Sequence, residues 1–548
     1  MRKHKRGYQV VAVAVAAVLL TAGCGGGDDE ESNAGDNPGT GNSSGDADGS
    51  IAVRGCKPQN PLIPTNTNET CGGNVLDAVT AKLVRYNPDD GAPENDLAES
   101  IESKDAITYT IKIKEGVKFH DGTEVKAKNF VDAWNFGAYG PNAQLSSYFF
   151  EVIKGYKETS AEKSKVKEMS GLKVVDDYTF KVVMDSKNST FPVRLGYTAF
   201  APLPDSFFTD NGEAFGKLPI GAGPYKMTKA DPDREFVLEA VPGYDRPGKP
   251  VVKNVTFKVF QDATAAYNEV VANQLDMTDE IPTSALTDLV FKKDLDGRFI
   301  DRTVGVFQAI NFPSAKADKS YDNLKLRQAI SMAINRQQVI DVAFAGTREP
   351  ATGWVSPVVD GFKAGACDPY CTFDAAEAKK LYDEAGGHEG PIRIGFNGDA
   401  DHKPWVEATC NSIKNALGVE CLATPTVDFA TFRTAITKRE QKGLFRAGWQ
   451  MDYPSIENFL APLYGTGAGS NDGDYSNKAF DAKLRQAAAI TDPEKRNAAY
   501  QAAELMLGKD MPSIPLWYSK QFIGFSNKIA SMKQTVFGTY DLSSIVLK

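Results

Sequence analysis

Apolar and polar positions alternate with period two along Ile107-Thr-Tyr-Thr-Ile-Lys-Ile-Lys114, which predicts a half-buried strand. The same alternation on both sides of Asp176-Asp177 predicts a hairpin over Leu172–Met184. Further strands are expected at Val255–Phe260, Gln308–Phe312, Ile392–Phe396, Ile514–Tyr518 and Phe522–Phe525. Helical spacing of apolar residues predicts helices over Val75–Tyr86, Lys126–Phe136, Thr264–Leu275 and a long one over Asn323–Phe344. Others follow at Ala375–Ala385, Trp405–Leu417, Phe429–Lys438, Asn477–Ala489 and Pro493–Leu507. Strands alternate with helices through most of the chain, so the predicted class is α/β, its folded body starting near Asn60. The pattern restarts near Phe307.

A chain of 548 residues has room for two to four domains. Its net charge of −9 argues against nucleic acid or an anionic membrane surface as the main partner. The first residues read as an address. Basic Arg2, Lys3, Lys5 and Arg6 precede the apolar run Val10–Leu20, too short to span a hydrocarbon core of roughly 30 Å. Leu20-Thr-Ala-Gly-Cys24 then resembles a bacterial lipobox, with Thr21 at its usual Leu position, which makes 1–23 a signal peptide and Cys24 the lipidated residue. Residues 24–50 are rich in Gly, Asp, Ser and Asn, with no aromatic or branched aliphatic residue, and predict a disordered acidic tether.

Six cysteines remain: Cys56, Cys71, Cys367, Cys371, Cys410 and Cys421. An even number in a secreted chain reads as disulfides. The three sequence-local couples are the preferred pairing among the possible ones. Metal is the weaker alternative, because no His neighbours Cys367 and Cys371. No metal or other cofactor is expected. Equipment for catalysis is missing as well. His120, His388 and His402 sit beside turn residues and are expected on the surface, and neither HExxH nor a phosphate-binding Gly-Lys-Ser/Thr loop occurs. The one GxSxG match, Gly41-Asn-Ser-Ser-Gly45, falls in the tether.

The segment Phe445–Leu460 carries Arg446, Trp449, Asp452 and Tyr453, followed by Pro454. Pro454 cannot donate to a ladder, so the segment reads as a strand ending in a loop, where a scaffold offers side chains to a ligand. By themselves these residues equally fit a core strand with a charge at its rim.

Five motifs occur in order: Phe119-His-Asp-Gly-Thr123, Gly221-Ala-Gly-Pro-Tyr225, Leu326–Arg336, Arg446-Ala-Gly-Trp-Gln-Met-Asp-Tyr453 and Tyr475-Ser-Asn-Lys-Ala-Phe-Asp481. Together they resemble the family 5 extracytoplasmic solute-binding proteins of ABC transporters, most closely the oligopeptide-binding branch, over about 60–540. The resemblance implies a two-lobed, class II periplasmic-binding-protein-like fold of three domains with a hinge. Domain I would comprise 51–93, 200–305 and 520–548, domain II 94–199, and domain III, the second lobe, 306–519. It further implies that Asp452 pairs with a ligand α-amino group, that Trp449 lines a side-chain pocket, and that Arg446 and Tyr453 help hold the ligand. The implied protein is no enzyme. It would be a monomer held to the membrane by its N-terminal lipid, delivering oligopeptides to a permease served by separate ATPase subunits. A non-peptide solute on the same fold, or a secreted hydrolase, are the alternatives.

Overall fold

The computed structural model describes residues 48–398 and 400–548. The signal peptide, Cys24 and the tether as far as residue 47 lie outside the described residues. Its backbone is a mixed sheet of eleven strands. Two long antiparallel strands, Phe299–Asn311 and Ser513–Phe525, form the centre and run through the sheet's full depth. Leu444–Gln450, Ile392–Asn397 and Cys421–Thr426 extend the sheet on one side. Met277–Thr278, Asp48–Gly55, Val252–Val259, Glu235–Ala240 and Tyr225–Asp231 extend it on the other. The ladder of the central pair is interrupted between Thr303 and Phe307. There Gly305 donates its N–H to Val536 and accepts from the Met451 N–H, at 2.8 Å each.

A separate four-stranded antiparallel sheet contains the two elements with the cleanest alternation, Thr108–Ile113 and the hairpin Leu172–Asp176/Thr179–Val183. Helix Ala127–Ala138 covers it. Trp134 is fully buried there, with the rings of Phe150, Phe180, Phe191 and Phe200 centred 5.2–6.4 Å away. Edge-to-face packing of this kind adds to the plain burial of apolar area.

Several expectations need correction. Ordered structure is already present at Asp48, ahead of residue 51 and of Asn60. Asp48–Gly55 is a strand because it pairs in parallel with Val252–Val259, a partner far along the chain. The helix expected over Val75–Tyr86 is Thr70–Val79, capped by Glu69, and Val84–Tyr86 is a strand. The long helix over Asn323–Phe344 is two helices, Leu324–Met332 and Arg336–Phe344. Asn335 caps the second, and the buried Arg336 guanidinium collects the carbonyls of Ser331, Ile334, Cys371 and Pro515. That charge satisfies the carbonyls that a helix end leaves open. The two late strands are one, Ser513–Phe525. His120, His388 and His402 are half-buried, not exposed.

His120 shows why two of the motifs travel together. Its Nε2–H donates to the Gly223 carbonyl at 3.0 Å, while its Nδ1 accepts from the Gly221 N–H at 3.3 Å. This staple presses Gly221 and Gly223 onto the end of helix Thr70–Val79, where the Gly223 N–H caps the Val79 carbonyl at 2.8 Å. The cysteines form Cys56–Cys71, Cys367–Cys371 and Cys410–Cys421, the three sequence-local couples. Cys71 lies in the first turn of the same helix, so a disulfide and a glycine staple hold its two ends.

Candidate functional site

Strand Leu444–Gln450 is paired along one side with Phe299–Asn311, from Phe445↔Asn311 to Gln450↔Val306. On its other side it meets Ile392–Asn397 only at Leu444 and Phe445. Among the described residues no strand pairs with that second edge from Ala447 to Gln450. Open backbone donors and acceptors at a sheet edge are a template for a further strand.

That edge borders a cavity of about 380 Å³ lined by Arg446 through Gln450, Asp452, Glu69, Tyr148, Phe429 and Arg433, among others. A second cavity of about 300 Å³ shares Asn68, Glu69, Gln450 and Asp452 with it, so Asp452 stands at their junction. Charge is distributed unequally. Asp452 and Glu69 stand at the junction, whereas Arg446 and Arg433 line the first cavity only. Arg446 donates from Nε to Asn397 Oδ1 at 3.0 Å and lies over the Phe429 ring at 5.5 Å. Arg433 is held by both oxygens of Asp472.

Asp452 follows the strand's end and is half-buried. Burial pushes its carboxyl up to about 7, opposed by a hydrogen bond from Asn458 and the positive charge of Arg194. The phenols of Tyr86, Tyr148 and Tyr197 share its field and are themselves raised, first by burial and then by the Asp452 charge. Trp449 is half-buried at the cavity wall, its Nε1–H donating to Asn458 Oδ1 at 3.0 Å.

The structure therefore brings Asp452, Trp449 and Arg446 to one cleft. Tyr453 is a correction: it lines neither cavity. Its ring is 2 % exposed within the core built on the four-stranded sheet, and its hydroxyl donates to Glu457 Oε2 at 2.8 Å.

Three contributors escaped the reading of the sequence. Helix Ile456–Tyr464 begins where only a loop was expected, with Ser455 as its cap. It supplies Glu457 and Asn458, both buried. The available signal was two polar residues inside the apolar run Ile456–Leu460. Glu69 caps helix Thr70–Val79 by accepting from the Gly72 N–H at 3.1 Å, and faces both cavities. Among the described residues no group of His, Cys, Asp and Glu is arranged to hold a metal ion, and no helix is long and apolar enough to cross a membrane.

Comparison with known proteins gives a consistent result. Residues 92–471 match the description "Bacterial extracellular solute-binding proteins, family 5 Middle". The chain is 26% identical over 475 residues to the oligopeptide-binding protein OppA of Bacillus subtilis, covering 83% of this chain and 85% of that one. It is 27% identical over 439 residues to the glutathione-binding protein GsiB of Escherichia coli, covering 78% and 81%. Among solved structures, the murein tripeptide binding protein MppA of E. coli superposes with a TM-score of 0.80 at 22% identity, over 91% of this chain and 98% of that one. The α/β fold is thus the class II periplasmic-binding-protein fold.

Proposed function

The chain belongs to the family 5 bacterial extracellular solute-binding proteins, and from that premise we propose that it captures oligopeptides outside the cytoplasm and delivers them to an ABC importer. The observation that carries this reading is the edge Ala447–Gln450, which no described strand pairs on its second side, with Asp452 beyond its end and a cavity beside it. An extended peptide adds to such an edge through its main chain, which reads no side chains. Its α-ammonium needs a counter-charge inside the cleft, because an unpaired buried charge costs several kcal/mol. Asp452 supplies it, Trp449 forms a side-chain wall, and Arg446 provides positive charge further along the strand.

The proposed lobes are domain I (51–93, 200–305 and 520–548) with domain II (94–199), and domain III (306–519). In support, the central strands cross these boundaries beside the interrupted ladder at Thr303–Phe307, a place suited to bending. Contacts between 94–199 and 306–519 fit a closed cleft: Ser189 donates its N–H to the Ala488 carbonyl at 2.7 Å and its hydroxyl to that of Ile490 at 2.6 Å. Ligand would favour closure through its greater affinity for the closed form. The protein works as a monomer and binds without turnover. Cys24, after the apolar run Val10–Leu20, anchors it to the membrane by a lipid.

Two measurements test this. Native mass spectrometry of protein purified without refolding should show a ladder of co-purified peptides; one small non-peptide mass would favour the second reading of the fold. Glutathione, bound by one relative, is itself a tripeptide and would appear in the same spectrum. Asp452→Ala should weaken free-amine peptides strongly and N-acetylated ones little. Equal losses for both, measured by calorimetry, would remove Asp452 from its role.

A further inference from the structure

Asn458 occupies the first turn of helix Ile456–Tyr464 and is 0 % exposed. Its neighbours Ile456, Phe459 and Leu460 are equally buried and apolar, so packing alone asks for another apolar residue here. A buried amide is costly unless its hydrogen bonds are made. All three side-chain bonds of Asn458 go to the end of strand Leu444–Gln450 and the residue beyond it. Oδ1 accepts from Trp449 Nε1–H at 3.0 Å and from the Asp452 backbone N–H at 2.9 Å. Nδ2 donates to Asp452 Oδ2 at 2.9 Å. The orientation of the amide is forced, since an indole and a backbone N–H only donate and a carboxylate only accepts.

We propose that Asn458 is the positioning residue for amine recognition, fixing the Asp452 carboxylate through Oδ2 and the Trp449 indole through its Nε1, so that Asp452 Oδ1 is presented to the ligand ammonium. The inference rests on the reading of Asp452 given above and deepens it. One side chain would then set both the charge partner and the wall of the first side-chain pocket. Their relative placement is held by a clamp and not by the flexibility of a loop.

The clamp also bears on ionisation. Around Asp452 stand Arg194 from helix Phe191–Arg194, Tyr453 beside it, and Tyr86, Tyr148 and Tyr197 across the cleft. Glu69, Asp77, Lys82 and Arg85 line the cavities it adjoins. The Asn458 N–H favours the charged carboxylate, so its loss moves ionisation to higher pH.

The test compares wild type, Asn458→Leu and Asn458→Ser in equilibrium dialysis against a pool of free-amine tripeptides and its N-acetylated counterpart, from pH 5 to 9. Asn458→Leu should weaken free-amine binding by about 10- to 100-fold, the loss of a hydrogen bond to a charged group. Binding of the acetylated pool should stay within about twofold, and the pH of half-maximal binding on the acid side should rise. If thermal melting shows that Asn458→Leu does not fold, Asn458→Ser, which leaves room for a water, carries the same expectations. Equal weakening of both pools, or an unmoved pH midpoint, overturns the positioning role. Wild-type protein that binds neither pool overturns the reading of the site itself and this inference with it.

Discussion

Arg194 and Glu457 form a buried ion pair, Nη2 on Oε1, with side chains 6% and 5% exposed. It joins helix Phe191–Arg194 to helix Ile456–Tyr464, and so joins the proposed domain II to the proposed second lobe. The Arg194 guanidinium lies over the Tyr453 ring at 5.5 Å, and Tyr453 donates to the same Glu457. The residue next to the proposed ligand anchor thus belongs to the contact that joins the two proposed lobes.

Removing one partner of this pair should be far worse than removing both. Arg194→Met strands Glu457 without its counter-charge, which costs about 3–5 kcal/mol in buried sites. The expected result is at least a tenfold loss of peptide affinity, because the closed form is depopulated. Arg194→Met/Glu457→Met should recover most of it. Calorimetry on both variants checks this, and a double variant as weak as the single one would show that the pair itself is not the linkage.

Affinity for free-amine peptides should follow a bell-shaped pH profile. Asp452 must be ionised to hold an ammonium, and in the ligand-free protein its carboxyl is pushed up to about 7 by burial. Below that pH a proton competes with the ligand, so affinity falls by up to about tenfold per pH unit and binding releases a proton. Above about 8 the ligand's own α-amino group loses its charge. Calorimetry in buffers of different ionisation enthalpy reads the released proton directly, and Asp452→Asn should flatten the acid limb. The stability linkage of the ligand-free protein has the matching sign. A carboxyl raised from 3.8 to about 7 favours the native state at low pH, and that contribution is lost as pH rises through about 7.

Two glycines near the cleft should respond in opposite directions. A Cβ at Gly221 would stand 2.0 Å from the Val79 carbonyl oxygen, a backbone atom that cannot yield. Gly221→Ala should therefore destabilise by about 4 kcal/mol or more, as steric conflicts in packed backbone do. At Gly73, inside helix Thr70–Val79, a Cβ meets nothing within 4 Å, so Gly73→Ala should stabilise by about 0.5–1 kcal/mol. Urea unfolding of the two variants distinguishes a helix end gripped by the His120 staple from one merely resting on it.

Periodicity is a property of neighbours in the chain, and what depends on neighbours was legible without the fold. The alternation at Ile107–Lys114 gave a strand at Thr108–Ile113, and the hairpin formed as expected, its turn one residue later at Asp177-Tyr178. The segment carrying Arg446, Trp449 and Asp452 stood out only through the resemblance that five motifs share, and all three residues line one cavity.

What the sequence left open depended on partners far away. Asp48–Ser50 was read as tether because Asp, Gly and Ser are weak strand formers; pairing with Val252–Val259 makes it the start of a strand. Asn323–Phe344 looked like one helix because carbonyls at Cys371 and Pro515, which help draw Arg336 inward, are invisible from within the segment. Tyr453 was expected from the resemblance to help hold a ligand, yet Glu457 and a core built on another sheet hold it. The sequence by itself determined the class of the fold and which carboxylate stands beside an indole. Only the tertiary structure decided that the neighbouring strand edge stays open and that one buried amide holds both side chains. Open edges and satisfied amides are defined by what surrounds a residue, not by what adjoins it.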